Sequence, residues 1–326
     1  MKKNKPFVSV IIPVKSWNKY LEEDVKHLLE GSYQNFEALI LMDKESIVSY
    51  PKTKIIATGN IGPAEKRDLG AKKARGEIFA FIDDDAYPSA NWLKNALHYL
   101  ENENVAAVCG PGVTPPSDSI YQKVSGAVSA SLIGGGPYTY RFIPQKEREV
   151  DDYPSMNLLV KKTDFWKVGG FDNSFWPGED TKLCLDIIEK LKKKILYHPG
   201  ILVYHHRRPI FKQHLLQNGR YGLHRGYFAR VLPLTSLRPS YFVPSCLLLS
   251  FLFIPIFALI NNSIFFLDLL LISLYLLLVF VSAIPVFARE KDIRIAILFI
   301  PAVVATHLFY GIKFLQGFFF TKKLIR

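Results

Sequence analysis

Through the first hundred residues, short Val/Ile-rich runs alternate with longer segments whose apolar residues recur every three or four positions. FVSVIIPV reads as a first strand, Asn18 to Glu30 as a helix, FEALILMD as a second strand and KIIAT as a third. A helix follows, opened by Gly62 and Pro63 and closed by Gly76, with proline at its first position and glycine beyond its end. IFAFID reads as the fourth strand, Ser89 as the N-cap of a helix over 90–101, and VAAVCG as the fifth strand. This alternation predicts an α/β fold, a Rossmann-like, mostly parallel sheet with helices on both faces.

Between about 110 and 150 the pattern loosens into GPGVTPP, GGGP and QKEREVDDYP, which read either as surface loops or as segments covering a substrate. SMNLLVKK then reads as a strand and Thr163 to Val168 as a short helix. GEDTKLCLDIIEKLKKK reads as a helix whose acidic start and basic end match its dipole.

From Tyr241 to Ala288 the rules change again, because the only charged side chain there is Asp268. Spans of about 241–260 and 264–288 are each long enough to cross a hydrocarbon core, which needs about 20 helical residues. A buried soluble hairpin is the alternative, but such pairs seldom lack a polar face altogether. A third apolar stretch, 295–320, is interrupted by Pro301, Gly311, Lys313 and Gly317 and ends in TKKLIR. A full crossing would put that basic tail outside, so a re-entrant or surface-lying second half is the competing expectation. The chain therefore divides into 1–208, a basic membrane-proximal segment 209–240, and a C-terminal membrane region 241–326.

Net charge is +12, and from Ile195 to Ser240 the chain carries seven Arg or Lys and no acid. Beside a membrane span this block points to anionic headgroups or a lipid diphosphate and away from nucleic acid. Arg225, Arg230 and Arg238 before the first span, with Arg289, Lys291 and Arg294 after the second, orient both flanks to the cytoplasm. The expected location is a multi-pass protein of the inner or plasma membrane with its N-terminal domain cytoplasmic. MKKNKPFVSVIIPV imitates a signal peptide, but its apolar run is short and lacks a cleavage site. Cys109, Cys184 and Cys246 are scattered without metal-ligand spacing and read as reduced thiols.

Asp43 ends the second strand and Asp83, Asp84 and Asp85 end the fourth, so two strands deliver carboxylates to the edge where such sheets bind ligands. Glu179 and Asp180 form a third acidic site. Singly, each has a plain structural reading as a solvated turn or a helix start. Jointly they fit the transfer of a sugar from a nucleoside diphosphate. Asp43 would grip the nucleoside, Asp85 beside Asp83 would hold Mg²⁺ or Mn²⁺ on the leaving diphosphate, and Asp180 would be the base for the acceptor hydroxyl. One base opposite the leaving group implies inversion.

VSVIIPVKSWNKYLEEDVKHLLEGSYQNFEALILMD, PAEKRDLGAKKARGEIFAFIDDDAYPSANWL and GGFDNSFWPGEDTKLCLDI together resemble the inverting family 2 glycosyltransferases of GT-A fold, over roughly residues 7 to 230. The resemblance implies a D-x-D motif at Asp83 and Asp85 and an E-D motif whose Asp180 is the base. The donor side would then comprise Pro13, Asp43, Arg67, Asp83, Asp84 and Asp85. QNGRY is similar to the Q-x-x-R-W motif of membrane-bound members, which puts Gln217, Arg220 and Tyr221 on the acceptor side with Glu179 and Trp176. Phe175 beside Trp176 reads as part of an aromatic platform or of the core. His205 and His206, followed by Arg207 and Arg208, are candidates for a metal or diphosphate contact, with His205 as a third metal ligand. THLFYGIKFLQGFF looks like the ends of succinoglycan-type glucosyltransferases, whose acceptors are lipid-linked. The expected partners are thus a nucleoside-diphosphate sugar, a polyprenyl-diphosphate-linked acceptor and the bilayer. A polyprenyl-phosphate monosaccharide synthase and a non-catalytic nucleotide-sugar-binding scaffold are the alternatives.

Overall fold

The computed structural model describes residues 7–324 and falls into two compact units. One comprises the residues up to Val113 together with Ile143–His205; the other comprises Thr114–Phe142 and the residues from His206 onward. The division differs from the sequence expectation of one domain over 1–208, because Thr114–Phe142 group with the C-terminal residues.

The first unit is built on eight strands: β1 Val8–Pro13, β2 Phe36–Met42, β3 Thr53–Ala57, β4 Ile78–Ile82, β6 Val105–Cys109, β8 Arg148–Val150, β9 Asn157–Lys161 and β10 Lys194–Tyr197. Their order is β3-β2-β1-β4-β9-β6-β10-β8. β9 pairs antiparallel with both β4 and β6, and β8 pairs antiparallel with β10, while the remaining strands share one direction. The sheet is therefore mostly parallel. β1, β2 and β4 are buried along their whole length, which accounts for their continuous apolar runs in place of alternation. Because β2 and β4 flank β1 in parallel, Asp43 and Asp83 leave the sheet at the same edge.

A second, three-stranded sheet, β5-β11-β7, joins Ala86–Pro88, Val203–His205 and Gly112–Val113. β5 is too short, and too proline-marked, to announce itself in the sequence. Two local expectations are corrected. Ser89 is not the N-cap: the helix runs Trp92–Leu100 from Asn91, and the Ser89 carbonyl accepts the Trp92 N–H at 3.0 Å. Gly76 does not close the helix before β4, which ends at Lys73. A Cβ at Gly76 would lie 2.5 Å from the Ser9 nitrogen, so the glycine is needed where the chain presses against β1.

In the second unit the loose stretch after residue 110 forms a helix, Ile120–Ala130, whose Val124, Ala127 and Val128 share a core with Val279, Val286, Ile295 and Phe299. Beyond Lys123 its residues are mostly buried, so no charged face marks it as a helix. Helices Pro239–Ile260, Asn262–Glu290 and Ile293–Phe320 are long and apolar enough to cross a membrane. Pro301, Gly311, Lys313 and Gly317 do not break the third; its last turn, Gln316–Phe320, is merely wider. The helix Lys212–Val231 packs along it through small residues: a Cβ at Gly226 would sit 2.1 Å from the Phe314 carbonyl oxygen, and one at Gly317 would sit 2.0 Å from that of Leu223.

Candidate active site

The antiparallel pairing of β11 with β5 sets His205 opposite Ala86, directly beside Asp85. His205 Nε2 lies 3.1 Å from Asp85 Oδ1. Asp83, Asp85 and His205 each offer a ligand atom within 4.8 Å of the others, a group able to hold a metal ion. His206 lies just past the end of β11 and has a different partner. Its Nδ1 meets Asp118, whose second oxygen accepts the Arg207 N–H at 3.2 Å, so this pair belongs to the second unit.

Arg67 connects the acidic sites. It projects from the helix Pro63–Lys73 and is buried, donating to Asp83 at 2.6 Å and to Glu179 at 3.0 Å. Burial disfavours its charge, but Asp83 and Glu179 outweigh that effect and hold the guanidinium above its ordinary range. One rigid fork thereby ties the end of β4 to the start of the helix Glu179–Leu191. Glu179 also accepts the Gly178 N–H at 2.9 Å.

Asp180 is the next residue on that helix. Its Oδ2 accepts the Ser155 N–H at 3.2 Å and its Oδ1 the Thr181 N–H at 2.8 Å. Burial first, then the neighbouring charges of Glu179 and Asp152, push its carboxyl up to about 7. Thr181 Oγ1 in turn donates to Asp152 at 2.9 Å. Asp68, one residue past Arg67, is likewise pushed up to about 6, mainly by burial, while it accepts the Phe171 N–H at 3.0 Å.

On the other flank of β1, Asp43 is ion-paired with the buried Lys66, which also donates to the Val14 carbonyl at 2.6 Å. Pro13 ends β1, buried, at this same edge. Asp84 accepts a hydrogen bond from Asn18 at 2.7 Å, and Asn18 also caps the helix Lys19–Glu30. The triple-Asp turn is thus locked to the first helix through its middle residue. Phe175 and Trp176 are half-buried just ahead of Glu179, with the Lys182 ammonium 5.7 Å from the Phe175 ring.

Gln217, Arg220 and Tyr221 lie in the second unit on Lys212–Val231, spaced so that they share one helix face; Arg220 and Tyr221 are exposed. Lys66, Asp152, Ser155 and Asp68 were not marked in the sequence. Lys66 and Asp68 flank Arg67 and differ from other helix-surface charges only in their surroundings, Lys66 being buried and Asp68 half-buried. Ser155 and Asp152 approach Asp180 through a fold contact that has no local signal.

Residues 9–169 match the family described as Glycosyl transferase family 2. A pre-mycofactocin glycosyltransferase of Mycobacterium tuberculosis is 28% identical over 170 residues, which is 49% of this chain and 33% of that protein. The chain thus spans about a third of the length of that relative. A glucosyl-dolichyl phosphate glucuronosyltransferase of Haloferax volcanii is 23% identical over 222 residues, 61% of this chain and 68% of that protein. Among solved structures, the mannosyltransferase PcManGT of Pyrobaculum calidifontis, in complex with GDP-Man and Mn²⁺, superposes with a TM-score of 0.56 at 16% identity, covering 97% of this chain and 88% of that one. With its sheet order and its acidic edge, the segment 9–169 is a family 2 glycosyltransferase domain of GT-A fold.

Proposed function

We propose that this protein is an inverting, metal-dependent glycosyltransferase that moves a sugar from a nucleoside-diphosphate donor onto a lipid-linked glycan at the cytoplasmic face of the inner or plasma membrane. The observation that supports this most is the single assembly formed by Asp83, Asp85 and His205 with Arg67 and the Glu179–Asp180 pair. Two carboxylates and an imidazole form a donor set suited to Mn²⁺, and the carboxylates alone suit Mg²⁺. A bound ion would neutralise charge on the departing diphosphate. Asp43 with Lys66, and Pro13 at the end of β1, form the proposed nucleoside side.

Asp180 takes the proton of the acceptor hydroxyl. The oxygen then bonds to the anomeric carbon while the bond from that carbon to the diphosphate breaks, its electron pair leaving with the nucleoside diphosphate. Attack from the face opposite the leaving group inverts the centre. A carboxyl near 7 is matched to this task, because a base whose pKa lies near the working pH transfers protons most effectively. The lipid-linked acceptor is supported by the apolar helices and by the dolichyl-phosphate sugar in the name of the Haloferax relative. Trp176, Gln217, Arg220 and Tyr221 are the proposed acceptor-side groups.

Asp180→Asn is expected to lower turnover by about 10²- to 10⁴-fold while calorimetric donor binding persists. Nucleoside diphosphate release from a panel of nucleotide sugars measures the turnover. Undiminished release would remove Asp180 from the role, and a product with the sugar joined directly to a lipid phosphate would replace the glycan-extending reading with a synthase.

A further inference from the structure

The three apolar helices of the second unit do not pack as three successive crossings would. Pro239–Ile260 and Asn262–Glu290 are joined at Asn261, which caps the second helix, and Ser250 of the first bonds to Asp268 of the second. They form a hairpin, so the second helix ends on the side where the first begins. Lys291, in a left-handed turn, and Asp292 then start the helix Ile293–Phe320 on that same side.

The far end of this third helix is on that side too. Arg230 precedes the start of the first helix at Pro239, yet it donates to the Gly317 carbonyl at 3.4 Å and to that of Thr321. Ser245, early in the first helix, donates to the Gly311 carbonyl at 3.2 Å. The Phe242 ring lies 4.7 Å from that of Phe314 and 5.6 Å from that of Phe318. Residue numbers therefore rise along the first helix while they fall along the third. In an up-down-up bundle the first and third helices run the same way, and here they do not.

We infer that only the hairpin Pro239–Glu290 crosses the bilayer, and that the helix Ile293–Phe320 lies along the membrane surface on the side from which the hairpin enters. The inference rests on the membrane reading of that hairpin. At 28 residues and 1.5 Å per residue the third helix is roughly 42 Å long, and it is unbroken, so it cannot dip into the core and return. Its first half is cored against the helix Ile120–Ala130 and against the last turns of the second helix, Val279 and Val286, through Ile295, Phe299, Ala302 and Val303. Its exposed positions are Ile293, Arg294, Ile297 and Pro301 near its start and Ile312, Gln316, Phe319 and Phe320 near its end, a set that is apolar apart from Arg294 and Gln316. The occupant of these apolar positions is the headgroup and acyl boundary of the bilayer, because the helix follows directly on the apolar hairpin and is flanked by Arg289, Lys291 and Arg294 at one end and Lys322 and Lys323 at the other. All of these cations then share one side with Arg225, Arg230 and Arg238, and the conflict over the basic tail disappears.

The test uses the full chain in native membranes, with Cys246→Ser as background because Cys109 and Cys184 are buried. Single cysteines are placed at the exposed positions Lys72, Asn262 and Lys322, with Lys323→Cys as a second reporter of the tail. Vesicles of both orientations are treated with an impermeant maleimide, and detergent-opened vesicles give the total label. The expected result is that Lys322→Cys labels in the same orientation as Lys72→Cys, and Asn262→Cys in the opposite one. Labelling of Lys322→Cys together with Asn262→Cys, against Lys72→Cys, overturns the inference while leaving the crossing hairpin intact. Labelling of all three in one orientation overturns the membrane reading itself. A bimane on Ile297→Cys should be quenched more by lipids carrying a headgroup-level nitroxide than by lipids carrying a deep one; no quenching by either overturns the surface placement.

Discussion

The two units bury polar groups in opposite ways. In the first, full charges meet in the interior at the edge where β2 and β4 end: Arg67 with Asp83 and Glu179, and Lys66 with Asp43. In the second, the buried links are largely neutral, as where His214 stands between Ser125 at 2.7 Å and Thr306 at 2.8 Å, and helices approach through glycine. Buried ion pairs are poor stabilisers, since desolvation offsets their attraction. Their concentration at one sheet edge therefore marks a place organised for a charged ligand, while close neutral packing marks a place organised for shape.

If that contrast holds, the largest response should come from breaking a charged link. Arg67→Met leaves Glu179 buried without a cation and should cost about 3–5 kcal/mol, read from thermal or denaturant unfolding of the purified protein. A loss below about 1 kcal/mol would show that the network relaxes freely. The matching test in the second unit is Gly226→Ala. Its new methyl would fall on the Phe314 carbonyl, and the expected cost is about 1–3 kcal/mol in detergent with donor affinity unchanged.

A pH profile sharpens the charged side further. Because burial, Glu179 and Asp152 hold the Asp180 carboxyl up at about 7, the proposed base is protonated below that pH. Turnover should fall about tenfold per unit on the acid side and level off above it. A profile flat from 5 to 8 would contradict this. The smallest effect is expected of Asn18→Ala, which removes a helix cap and the tie to Asp84 together and should cost about 1 kcal/mol. Unfolding midpoints measure it.

Much of the first unit is written in local pattern. β1, β2 and β4 are legible as apolar runs, and Asp43, Asp83 and Asp85 follow from where those runs stop. The connections between them are not legible, because they depend on register and on contacts distant in the chain. His205 reaches Asp85 only through the pairing of β11 with the three-residue β5, and Arg67 meets Glu179 across 112 positions. The helix Ile120–Ala130 is hidden for the opposite reason: beyond Lys123 its residues are small and mostly buried, so the polar positions of its first turn do not recur as a face.

Arg67 has one further consequence, best stated as electroneutrality. With the guanidinium between them, Asp83 and Glu179 leave one uncompensated negative charge in place of two. These carboxylates can then come together during folding without a cation, while the remaining charge keeps a field that would attract one.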